Sequence, residues 1–104
     1  MSFDFTRQMC VLSFDRNTYD LIFSDAATFA FLKNRFYYRL DSLLLEDSKE
    51  TLKRYISEDR FFEPFTLDFD DANGNYVEMA CRLEPTDIPD GIKIRMIRRN
   101  VFAD

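Results

Sequence analysis

At 104 residues, 46% hydrophobic and 16% aromatic, the chain is long enough for one domain with a packed core and too hydrophobic for a disordered segment. Its formal charge of -5 and pI near 4.7 disfavour binding to nucleic acid or anionic lipid. No apolar run approaches the roughly twenty residues of a membrane span, and the N-terminus lacks the basic-then-apolar pattern of a signal peptide, so a cytoplasmic protein is expected.

Residues 1–8 carry Phe3 and Phe5 among polar side chains and read as a lead-in, either frayed or packed on a sheet. Met9 to Phe14 reads as a strand, Asp15-Arg-Asn-Thr18 as turn chemistry and Tyr19 to Phe23 as the return strand. A four-residue loop predicts Phe14 opposite Tyr19, Leu12 opposite Leu21 and Cys10 opposite Phe23, all on one face, with Val11 and Ile22 on the other. Ser24-Asp25 offers cap oxygens ahead of a short helix over Ala26 to Leu32. From Lys33 to Leu45 the aromatics and leucines fit no single period, which predicts short helical turns over the sheet. Asp47-Ser48 opens a clearer helix, with Asp47 and Glu50 at capping-box spacing. Leu52, Tyr55 and Ile56 form its inward stripe, while Lys49, Lys53 and Arg54 are its solvated side.

After Phe61-Phe62 comes the strongest local signal, two alternating runs around Ala72-Asn73-Gly74 within Pro64 to Glu84. A two-residue Asn-Gly loop would set Phe69 opposite Glu78 and mix core with solvent. A three-residue loop, Ala72 to Gly74, pairs Phe69 with Val77, Leu67 with Met79 and Phe65 with Cys81, so it is preferred. Pro85 to Gly91 is a loop by its two prolines and Asp-Gly. Ile92, Ile94 and Met96 then alternate with Lys93 and Arg95 as the last strand, whose polar face is expected to meet Glu78 and Glu84. Two strands, a helical insertion and three more strands predict an α+β domain, an antiparallel sheet with helices on one face.

The chain has no histidine, which removes the commonest general base and the commonest metal ligand. Its two cysteines, Cys10 and Cys81, have neither metal spacing nor an activating partner, and with only Gly74 and Gly91 there is no phosphate-cradling loop. A non-enzymatic role is expected, with no metal.

The run Leu43-Leu-Leu-Glu-Asp47, the charged helix, Glu63-Pro-Phe-Thr-Leu67, Asn73-Gly-Asn-Tyr-Val-Glu78 and Gly91-Ile-Lys-Ile94 together resemble a PAS sensory domain over roughly residues 40–101. The family's frequent His-Pro before the acidic residue is Leu44-Leu45 here, and its terminal Asp-Ile-Thr is Asn100-Val101-Phe102. The resemblance implies a PAS-like five-stranded antiparallel sheet of order 2-1-5-4-3 spanning 1–104, expected to be a domain excised from a longer signalling protein. It also implies that Cys10 and Cys81 lie two strands apart, about 10 Å at ~4.8 Å per step, beyond the ~7 Å reach of a disulfide.

The same resemblance implies a non-catalytic sensory and dimerisation module of a bacterial-type protein. Its output domain would be a GGDEF cyclase or a histidine kinase. An unidentified small molecule would sit between helices and sheet, against Phe29, Phe36, Leu52, Tyr55, Phe69, Met79 and Met96, residues that otherwise fill a plain core. Haem held by histidine is excluded, the Asn-Cys-Arg-Phe-Leu-Gln motif of the cysteinyl-flavin relatives is absent, and no cofactor is expected. A homodimer is expected through Phe3, Phe5, Val11, Ile22 and Ile97 on or near the outer face of the sheet. The other reading is a structural protein-protein interaction module with a filled core and no ligand.

Overall fold

Alternation between apolar and polar side chains, rich in Ile, Leu, Val and Phe, produces five strands: β1 (Cys10–Asp15), β2 (Leu21–Ser24), β3 (Phe65–Asp70), β4 (Tyr76–Pro85) and β5 (Gly91–Arg98). The computed structural model describes residues 10–24, 39–70 and 76–99. The strands form one antiparallel sheet in the order β2-β1-β5-β4-β3, so the last strand in sequence occupies the centre. With the helix α1 (Glu46–Ser57), this is an α+β fold.

The β3–β4 hairpin has the expected register. Phe65 faces Cys81, Leu67 faces Met79 and Phe69 faces Val77, and all six are buried. Pairing continues to Asp70 and Tyr76; residues 71–75, including the expected Ala72–Gly74 loop, lie outside the described residues. β5 alternates as expected, with Ile92, Ile94 and Met96 buried on the same side.

The first hairpin departs from its expected register. Asp15 Oδ1 accepts the backbone N–H groups of Asn17 at 2.8 Å and Thr18 at 3.0 Å, and these hold its carboxyl below the usual range. Asp15 N–H then donates to Asp20 O at 2.9 Å, which moves the four-residue turn one position along, to residues 16–19. Phe14 consequently faces Leu21 rather than Tyr19, Leu12 faces Ser24, and Phe23 faces Ser13 rather than Cys10. A bulge accommodates the difference, leaving Ile22 as the extra residue between Leu21 and Phe23. Phe23 therefore turns away from the core and is exposed. Tyr19 stays on the core side, its ring stacked on Phe14 with centroids 5.9 Å apart.

α1 starts without the expected capping box. Leu45 occupies the N-cap, its carbonyl accepting from Ser48 and Lys49, and no side chain caps the helix. Asp47 lies inside the first turn, where it and Glu46 complement the positive end of the helix dipole. Ser48 is turned instead toward the sheet, its Oγ accepting the N–H of Asp68 at 2.7 Å. Leu45 N–H donates to Asp68 O at 3.0 Å, and Leu44 bridges Phe69. The outer edge of β3 is thus closed by the segment that enters the helix, a common protection for an edge strand. Of the short turns expected before α1, the described part contains one 3-10 turn, Leu40–Leu43. The expected helix at Ala26 to Leu32 lies outside the described residues.

Leu52 and Ile56 of α1 are buried against the sheet as expected, and Tyr55 stacks on Phe65 at 4.2 Å. The core joins them to Leu40, Leu43 and Leu44 and to the inward residues of β1, β3, β4 and β5. Both cysteines are free thiols, and Met96 of β5 stands between them, paired to Cys10 on one side and Cys81 on the other. Replacing Ser48 with alanine strands the Asp68 amide in a partly buried site, which should cost about 1 kcal/mol. Urea denaturation will show the loss, and hydrogen exchange will show it as faster exchange at Asp68.

Candidate functional site

The sheet offers two surfaces. On the inner one, the strand registers bring together five of the seven residues expected to line a ligand site. Phe69 lies on β3, Met79 on β4 and Met96 on β5, with Leu52 and Tyr55 arriving from α1. Leu52, Phe69, Met79 and Met96 are each at most 1% exposed, and Tyr55 is half-buried at their margin. Phe29 and Phe36 lie outside the described residues. The assembled surface is apolar and sulfur-rich, since Cys81 lies between Met79 and Met96 in the registers. Burial pushes the Cys81 thiol well above its ordinary pKa, so it behaves as a small hydrophobe and not as a nucleophile. Such a lining can hold an apolar guest or pack against itself.

The outer surface carries the expected Val11 and Ile97, both half-buried, on β1 and β5. Ile22, at the β2 bulge, is 45% exposed. Phe3 and Phe5 lie outside the described residues. Around Val11 and Ile97 the surface is ionic, and its arrangement is tighter than an exposed cross-strand pair. Arg82 and Arg95 stand directly opposite one another across β4 and β5. Like charges in that position repel. Glu84 lies between them, its Oε2 accepting from Arg82 Nε at 3.0 Å, Arg82 Nη2 at 2.7 Å and Arg95 Nε at 2.7 Å. Burial alone would raise the Glu84 carboxyl pKa, but the hydrogen bonds from Arg95 and Arg82 outweigh it and hold the group below its ordinary 4.5. A second cross-strand pair, Arg99 to Glu78 at 2.9 Å, continues the pattern toward the strand end.

That the polar face of the last strand, with Arg95, meets Glu78 and Glu84 was legible from strand alternation. Arg82 was not, because a basic residue directly opposite another basic residue reads as a mismatch until the carboxylate two positions along is seen to fold over both. Ser48 escaped for a similar reason, since a serine inside the first helical turn reads as a cap and not as an acceptor for a strand.

Among the described residues, no group of three or more Cys, Asp and Glu side chains is placed to hold a metal ion. No helix among them is long and apolar enough to cross a membrane.

Glu84→Gln removes the charge that separates the two guanidinium groups, and should cost about 1–3 kcal/mol at neutral pH, discounted from a fully buried pair because both arginines reach solvent. Because the folded pKa is depressed, the wild-type advantage is complete above about pH 4.5 and is lost as the pH falls through the folded value. Chemical denaturation of both proteins from pH 7 to pH 2.5 should show the two stabilities converging in acid.

No protein-family model matches the chain. No curated protein matches it either.

Proposed function

We propose that the chain is a PAS-like sensory and dimerisation module, without catalysis of its own, that passes a signal to an attached output domain such as a GGDEF cyclase or a histidine kinase. The observation that carries this reading is the strand order β2-β1-β5-β4-β3 with the helical insertion between β2 and β3. That arrangement brings Leu52 and Tyr55 of α1 together with Phe69, Met79 and Met96 of the sheet as one apolar surface, where such a module holds a small molecule. The absence of histidine from the chain limits any guest to one held by packing or by other side chains. The outer face, with Val11 and Ile97 among paired charges, serves as the contact between two copies.

A second reading, an interaction module with a filled core, is favoured by one specific observation. Leu52, Phe69, Met79 and Met96 are almost wholly buried and belong to one cluster with the rest of the core. An interior at normal packing density needs no guest.

Native mass spectrometry of the purified protein separates the two. A mass above that of the polypeptide, lost on denaturation, is expected for the sensory reading, and bare polypeptide would remove it. For the dimer, Ile97→Glu places a charge on the contact face and should weaken association at least tenfold. An unchanged sedimentation profile would show that the outer face is not the contact.

A further inference from the structure

Three loops gather at one end of the sheet: residues 16–20 between β1 and β2, 58–64 between α1 and β3, and 86–90 between β4 and β5. The contacts between them are direct. Asp15 pairs with Gly91, Arg16 N–H donates to Asp90 O at 2.8 Å, and the Arg16 guanidinium lies 3.6 Å from the Asp59 carboxylate. Phe62 N–H donates to Leu83 O at 2.8 Å, near the end of β4.

Backbone strain concentrates here. Among the described residues, the four non-glycine positions with positive φ are Tyr19 at 65°, Asp59 at 52°, Phe62 at 67° and Asp90 at 59°, and all four lie in these loops. Aspartate tolerates that region better than bulky residues do. Tyr19 offsets the strain by stacking on Phe14. Phe62 has no comparable compensation, since it is 58% exposed. A glycine would hold the same turn with less strain. More than half of the ring faces solvent, while its backbone is fixed by the bond to Leu83.

The loops at this end carry more acidic than basic side chains. Ile88, in the neighbouring loop, is the second large exposed apolar side chain at this end. Glu58, Asp59, Glu63, Asp87 and Asp90 of the same two loops are all exposed. The basic residues of the three loops, Arg16 and Arg60, already lie against Asp59 and Glu58. We propose that this end of the sheet docks a basic partner segment, an apolar side chain flanked by lysine or arginine, with Phe62 as the fixed anchor. Charge selects that occupant. The same carboxylates repel anionic lipid and the acidic surface of a second copy of this chain. An exposed aromatic held in place before binding is the kind of residue that dominates an interface. The proposal does not depend on the sensory reading.

The test is an NMR titration of residues 1–104, labelled with 15N, against three synthetic peptides of equal length, one of Lys and Leu at helical spacing, one of Lys and Ser, and one of Glu and Leu. Only the Lys/Leu peptide should shift resonances, chiefly in residues 58–64 and 86–90, and the shifts should weaken with added salt. Phe62→Gly should weaken binding about tenfold or more while leaving Tm at or above that of the parent. Glu63→Lys should also weaken binding. Equal shifts with the Lys/Ser peptide, shifts spread over every acidic surface, or unchanged affinity in Phe62→Gly would overturn the proposal. So would a lower Tm in Phe62→Gly, because the ring would then be part of the fold. Concentration-dependent shifts at Phe62 without peptide would assign the surface to self-association and overturn it as well.

Discussion

Two arginines face each other across the middle of the sheet, and one carboxylate makes that register tenable. Glu84 holds Arg82 and Arg95 on the outer surface, and their positions determine what the alternate residues do. With Arg82 and Glu84 outward, Cys81 and Leu83 must point inward; with Arg95 outward, Ile94 and Met96 join them. A slip of one residue between β4 and β5 would exchange the two sets, placing guanidinium groups against α1 and aliphatic side chains in water. Hydrophobic burial excludes that slip, but a slip of two residues would keep the same apolar face inward. The ionic cluster discriminates because it is satisfied in one register alone.

Much of this arrangement can be read from residue order. Period-two alternation specifies β3, β4 and β5, and parity across the Asn-Gly segment specifies the pairing of Leu67 with Met79. The first hairpin was less legible, since its register rests on which residue closes the turn. Asp15 serves the turn amides with its side chain and Asp20 with its main chain, and nothing in alternation reveals that double use. Tyr19 in a left-handed conformation, with no glycine to announce it, completes the displacement. The start of α1 failed for a related reason. Asp47 has the right spacing for a cap, but the contact between Ser48 and β3 decides where the helix begins, and a contact between residues 20 apart in sequence is invisible to local rules.

Of the candidate ligand surface, the strand contributions followed from parity alone, and the helical ones from the spacing of Leu52 and Tyr55. What alternation does not reveal is whether side chains that share a face leave space between them. That depends on rotamers and on how closely α1 approaches β3, where Tyr55 already stacks on Phe65. The two surfaces of the sheet also differ in how much identity matters. Inside, residues of similar volume exchange at modest cost. Outside, Arg82, Glu84 and Arg95 form a directional set in which even lysine for arginine would lose a hydrogen bond.

The position of β5 has a consequence for how the polypeptide reaches this state. β5 is flanked by β1 on one side and β4 on the other, so until it emerges from the ribosome the strand edges of β1 and β4 that it pairs with, and the apolar side chains it covers, have no partner. A nascent chain halted before Gly91 would display both edges at once, an invitation to chaperones or to aggregation. Closure of the sheet is thus a late event, gated by synthesis of the strand that everything else waits for.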